Sequence, residues 1–263
     1  MPAVPRLKPQ AFFTPDEWAG LSARSSWKGL LLVAHCWGVI LLAGAAAVVW
    51  PVLIPLAIMI IGTRQLGLAI LMHEAAHAGL HPNLKLNDWV GHWLCAVPVG
   101  ASLPAYRTYH LAHHKYAQQA EDPDLPLSAA FPTTRASLRR KIVRDLTGQT
   151  FFKQRIAPFF GRGAADEDMP EGARVTAKSA LPFLAVNAAL LVALSLAGVW
   201  WAYLVLWLLP MATWFPLVTR LRNIAEHACV ENSAIDPLRQ ARTTHASWWE
   251  RVFIAPYWVN FHA

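Results

Sequence analysis

The sequence predicts an all-α integral membrane protein: two transmembrane helical hairpins, four spans in all, with a cytoplasmic helical cap bearing the metal site. Three observations predict it. Of 263 residues, 55% are apolar and 15% charged, against about 25% charged in an average soluble chain, and mean hydropathy is +0.31. The apolar residues gather in two blocks, 29–72 and 180–219, each long enough for two spans of about 20 residues. Lys and Arg are missing from the middle of both blocks and collect in the segments outside them.

Taken in order, the N-terminal segment 1–28 carries Arg6, Lys8, Arg24 and Lys28 around no apolar core, so it is not expected to be a signal peptide. Spans 29–50 and 52–72 flank a turn at Trp50 and Pro51, and spans 180–198 and 200–219 flank a second near Gly198 to Trp201. Trp50, Trp200 and Trp201 sit at these turns, where an indole prefers the membrane–water boundary. Because both turns lack Lys and Arg, the positive-inside rule places segments 1–28, 106–179 and 220–263, and with them both termini, in the cytoplasm. Segment 89–105 is apolar but short, and is broken by Gly91, Pro98, Gly100 and Pro104. It is expected to be re-entrant or interfacial and buried against protein, where irregular backbone is tolerated at membrane depth. From Thr134 to Leu146 the pattern is a basic amphipathic helix. Leu138, Ile142, Val143 and Leu146 share one face, and Arg135, Arg139, Arg140, Lys141 and Arg144 crowd the rest. Such a helix suits an anionic leaflet. The net charge of +7 is therefore assigned to a membrane surface rather than to nucleic acid, for which no motif is present. Cys36, Cys95 and Cys229 form no CxxC pair and are read as free thiols. The whole chain, 1–263, is read as a single domain.

The chemistry lies in the histidines. His73-Glu74-Ala75-Ala76-His77 closes the second span and is followed by His110-Leu111-Ala112-His113-His114. Residues three and four apart share a helix face, so each string points several imidazoles at one place. Imidazole suits Fe, Zn, Cu and Ni. A zinc ion needs only three or four protein ligands, and five histidines exceed that, which favours a pair of irons that activates dioxygen against an unactivated C–H bond. The first string also fits the zinc-protease pattern HExxH, with Glu74 as general base, but that reading gives the second string no role. With iron, Glu74 stands behind the ligands. Asp122 and Asp124 follow the second string closely. They either accept the spare ring N–H of ligand histidines or form a turn about Pro123.

HEAAH, HLAHH and the following Glu121-Asp122-Pro123-Asp124 resemble the first two histidine boxes of the membrane fatty acid desaturase family. Arg222-Asn223-Ile224-Ala225-Glu226-His227 is similar to a further family element, and the stretch from Arg242 to His262 to the lead-in of the third box. The resemblance covers residues from about Gly62 to the end. It implies metal ligation by His73, His77, His110, His113, His114, His227 and His262, with Asn223 acting through water. It implies two Fe ions, dioxygen as co-substrate, and a separate electron donor, a ferredoxin or cytochrome b5 with its reductase. The implied reaction is desaturation of a long acyl chain of a lipid, with no catalytic residue beyond the ligands. The same metal chemistry also serves hydroxylation or ketolation of a carotenoid, alkane or sphingolipid. The family's third box reads HxxHH, whereas this sequence ends at His262-Ala263. The expectation is a C-terminally truncated member, a fragment that binds iron incompletely or not at all.

Of the remaining histidines, His81 is a possible addition to the first cluster, His35 is expected to bond a neighbouring helix, and His92 and His245 are read as structural. Arg64, inside the second span, is expected to pair with a carboxylate or to snorkel.

Overall fold

The apolar stretch after Trp27 has no proline before Pro51, and it forms one helix, α2 (Lys28–Val49). At 1.5 Å per residue this is about 33 Å, enough to cross a hydrocarbon core of about 30 Å. The computed structural model describes residues 8–157, 177–230 and 240–257, and every regular element among them is helical. Before α2 lies the short α1 (Pro15–Ser22), opened by a reciprocal Thr14–Glu17 capping box. After it, Pro51 begins a single 3-10 turn, Pro51–Leu53, which reverses the chain into α3 (Ile54–Ala76).

α3 is the central post of the molecule. Its second half is buried almost without interruption, from Ile61 to Met72 except Ala69. It packs against α2, α4 (Leu84–Val90), α5 (Leu103–Tyr116), and the later α10 (Leu209–Ala212), α11 (Trp214–His227) and α12 (Trp248–Phe253). Within segment 89–105, residues 95–100 are buried against these elements while Trp89 and Trp93 are exposed. α4 runs into a π-helical stretch, Gly91–Ala96, a 3-10 turn, Val97–Val99, and a left-handed Gly100. Gly91 touches α3 so closely that a Cβ there would stand 2.3 Å from Ala75 Cβ.

Three further helices follow α5: α6 (Leu125–Ser128), α7 (Arg135–Leu146) and α8 (Gln149–Phe151). α7 matches the stretch expected from sequence, with Thr134 Oγ1 accepting from Ser137 N at its start. It is also tied to the rest of the protein. Its Asp145 is fully buried and accepts from Arg220 at 2.6 and 3.0 Å, which anchors α7 to α11. Val143 and Leu146 remain exposed.

The second apolar block gives α9 (Ala177–Leu196), a turn with left-handed Gly198, and a helix that starts with a π stretch, Tyr203–Leu208, and continues through α10 and α11. Polar groups tie this hairpin together inside an apolar setting, as is common between membrane helices. Asn187 Oδ1 accepts from Trp207 Nε1 at 2.8 Å and from Tyr203 OH at 3.3 Å. Gln65 Nε2 of α3 donates to the Trp207 carbonyl at 2.9 Å.

Among the described residues, three helical segments are long and apolar enough to cross a membrane: Lys28–Val49, Pro51–Ala76 and Tyr203–His227; the apolar run Ala180–Leu196 is shorter. The last of the three passes the boundary at 219 expected from hydropathy, because the backbone ladder continues under Arg220, Arg222 and Asn223 although the side chains turn polar. Arg64 Nη2 donates to the Arg251 carbonyl at 3.5 Å, and among the described residues it meets no carboxylate, so the first of its two expected roles is not seen. His35 Nδ1 lies 2.7 Å from Tyr257 OH, in the segment after α12 and not in another spanning helix.

Candidate metal centre

Two helix ends meet at the site. His73 and His77 sit on the last turn of α3, and His110, His113 and His114 on the C-terminal half of α5. Helical spacing turns His110 and His114 toward α3. His110 Nε2 lies 2.8 Å from His77 Nε2 and 2.9 Å from His114 Nε2. The ligand atoms of His73, His77, His110 and His114 all lie within 4.8 Å of one another. Burial, followed by the imidazoles of His73, His114, His77 and His113, pushes His110 far below the ordinary histidine range. Its ring is therefore neutral, the form that offers a lone pair to a metal.

A second group of imidazoles adjoins the first. The His113 ring centroid is 6.0 Å from that of His110 and 5.1 Å from that of His227, which ends α11. His113 Nδ1 donates to Asp122 Oδ1 at 2.7 Å, which fixes its tautomer and leaves Nε2 for other partners. Asp122 is itself held by the backbone N–H of Gln118 at 2.7 Å and of Asp124 at 2.8 Å. Asp124 lies 3.7 Å from the same His113 nitrogen. Burial pushes its carboxyl up to about 7, against the pull of Arg222. Glu74 Oε1 is 3.1 Å from His73 Nδ1.

The two groups share a cavity of about 270 Å³. His73, His110, His113, Asn223 and His227 line it, and Leu66, Ala69, Met72, Met211 and Phe215 form an apolar wall. Asn223 thus faces the same space as His227, one turn earlier on α11. His81 is outside the cluster, where its Nδ1 accepts from Asn83 N at 2.9 Å in the turn before α4. His262 lies outside the described residues.

Several participants were not singled out from the sequence. Tyr106 stacks on His110 at 5.1 Å with an interplanar angle of 10°, and its position four residues before His110 is the only signal of this. Glu226 is 2% exposed and pairs with Arg222 at 2.9 Å. Arg107, three residues before His110, reaches back to α3 and caps its end. The end of α11 is met in a similar way: Arg242 N donates to the Glu226 carbonyl at 3.0 Å, and the Arg242 guanidinium donates to the Ala228 carbonyl.

Among the described residues every regular element is helical, and six imidazoles gather where α3, α5 and α11 end, a donor set that could hold metal. Comparison narrows the reading. The model of the fatty acid desaturase family matches residues 48–263, and the chain belongs to that family of oxidoreductase enzymes. Over 75 residues, 28% of this chain and 21% of the relative, it is 41% identical to dihydrorhizobitoxine desaturase of Bradyrhizobium elkanii. Over 78 residues, 30% of this chain and 22% of the relative, it is 33% identical to sn-1 oleoyl-lipid 12-desaturase of Arthrospira platensis. The matched stretches span about a fifth of each relative.

Proposed function

We propose that the protein removes two hydrogens from adjacent carbons of a long acyl chain of a lipid, consuming dioxygen and two electrons, at two iron ions held by its histidines. The observation that carries this reading is the convergence of four imidazole nitrogens within 4.8 Å, with the His113–His227 pair beside them. The donor set fits a metal. A ring nitrogen has one lone pair or one hydrogen, so His110 Nε2 cannot direct a good hydrogen bond at both His77 and His114. The 2.8 and 2.9 Å separations instead suit imidazole nitrogens that would share a metal ion.

In this reading His73, His77, His110 and His114 would hold one iron, and His113, His227 and His262 would share in the second. When bound, the irons supply activation of dioxygen. The protein's own residues orient and exclude. Glu74 and Asp122 accept the spare ring N–H of His73 and His113, so each ring keeps one orientation. Asn223 acts through a water molecule. The apolar wall from Leu66 to Phe215 receives the acyl chain and keeps water from the reacting carbons. Electrons come from a separate donor, a ferredoxin or cytochrome b5 with its reductase, on the cytoplasmic side, where the polar cap and both termini lie. The acyl-lipid substrate is supported by the name of the Arthrospira relative. A zinc-protease role for Glu74 is disfavoured because His73 Nδ1 engages its carboxylate.

The test is to feed an isotopically labelled acyl lipid to cells expressing the protein and read the products by mass spectrometry. Loss of two mass units from the acyl chain is expected. Gain of one oxygen would replace desaturation with hydroxylation, and an unchanged lipid would refute the acyl substrate.

A further inference from the structure

The four carbonyls at the end of an α-helix have no partner within it, and in α3 that end carries His73 and His77. Local backbone bonds cover the first three. His77 N donates to the His73 carbonyl at 3.3 Å, Gly79 N to Glu74 at 2.8 Å and Ala78 N to Ala75 at 3.0 Å. The rest of the cap comes from elsewhere in the chain. Arg107 Nε donates to the Ala76 carbonyl at 3.0 Å, and Nη2 to Ala75 at 2.9 Å. Asn87 Nδ2 also donates to Ala75, at 2.9 Å. The guanidinium is held in turn by Asp88, which accepts from Nη1 at 3.0 Å and from Nη2 at 2.5 Å, and which also accepts from Asn87 at 2.8 Å.

Arg107 lies three residues before His110 and seven before His114, on the face of α5 that meets α3. One rigid, planar side chain therefore joins the helix end bearing His73 and His77 to the helix bearing His110 and His114. Its charge suits the negative end of the α3 dipole, and its fork matches two successive carbonyls and a carboxylate together, which a lysine cannot do. We infer that Arg107, braced by Asp88 and Asn87, is a positioning residue that sets the distance between the two histidine-bearing helices and so creates the four-imidazole cluster. It touches neither substrate nor metal. The inference rests on the metal reading above only for its first readout.

The experiment compares the detergent-solubilised wild-type chain with Arg107→Gln, Arg107→Lys and Asp88→Asn. Co2+ affinity is measured by titration of its visible absorption. Carbethoxylation of His110, which is 2% exposed, is followed by peptide mass spectrometry in metal-free protein. Circular dichroism establishes that each variant is folded. Arg107→Gln is expected to weaken Co2+ binding ten- to a hundred-fold, the order found when groups supporting ligands are lost, and to expose His110 to the reagent. Arg107→Lys should fall between this variant and wild type. Asp88→Asn keeps the carbonyl contacts and should give a smaller effect in the same direction. Equal His110 protection in folded Arg107→Gln and wild type would overturn the inference. If the wild type binds no Co2+, the metal reading fails while His110 protection still decides the role of Arg107.

Discussion

Asp122 shows how much of the site depends on one buried carboxylate. It accepts from His113 and from two backbone N–H groups, so its loss removes an orienting contact and leaves donors unpaired. Asp122→Asn is expected to lower metal affinity ten- to a hundred-fold, with a loss of about 1–3 kcal/mol in stability, measured by metal titration and denaturant unfolding. The turn after α3 makes the opposite prediction. Ala78 holds φ +58°, a conformation that costs a non-glycine residue roughly 1–2 kcal/mol. Ala78→Gly should raise stability by about 0.5–1 kcal/mol, seen as a higher unfolding midpoint. At this scale the sequence offered the metal-type residues and the carboxylates Glu74, Asp122 and Asp124 beside them, but not the brace of Arg107, Asp88 and Asn87. Spacing alone pointed His73, His77, His110 and His114 toward common faces. The offset of Arg107 from His110 is ordinary helical spacing, and nothing in it shows that a second helix ends within reach.

Among the elements, α3 is the one that others are built upon, and Gly91 is where segment 89–105 touches it. A Cβ at position 91 would meet Ala75, only two residues from His73 and His77. Gly91→Ala is expected to destabilise by on the order of 1–3 kcal/mol and to weaken metal binding with it, by the same two measurements. The Arg107–Asp88 brace has a pH signature. The Arg107 hydrogen bond holds Asp88 below its ordinary 3.8, so the ionised, braced form is favoured by folding. Its contribution is present above pH 3.8 and is lost as pH falls through the lower folded value. Melting curves of wild type and Asp88→Asn should therefore differ above pH 4 and draw together in stronger acid. Helix ends were readable where a breaker or cap marks them, as at Trp50-Pro51, Thr134 and Gly198. They were not readable where packing decides. The π-helical stretches at Gly91–Ala96 and Tyr203–Leu208 have no local signature. α11 outlasts its apolar pattern because hydrogen bonds, not hydropathy, continue it.

For the molecule as a whole, composition was enough to foresee an all-helical membrane protein, since too few charged residues exist to cover a soluble globule. The arrangement of three long apolar segments and a shorter one about α3 required the structure, because apolar spans look alike in sequence whether they face lipid or protein. The inward turn of Asp145 to Arg220 was hidden for a related reason: a carboxylate among five cations reads as surface until its partner, 75 residues away, is placed. The central claim is that imidazoles from α3, α5 and α11 hold iron together. It is tested most directly by the metal content of protein purified from iron-supplemented cells, wild type against His110→Ala. The account predicts iron in the wild type, approaching two atoms per chain where the third histidine box is complete, and a large loss in the variant. Zinc in place of iron, no metal, or iron unaffected by the substitution would contradict it.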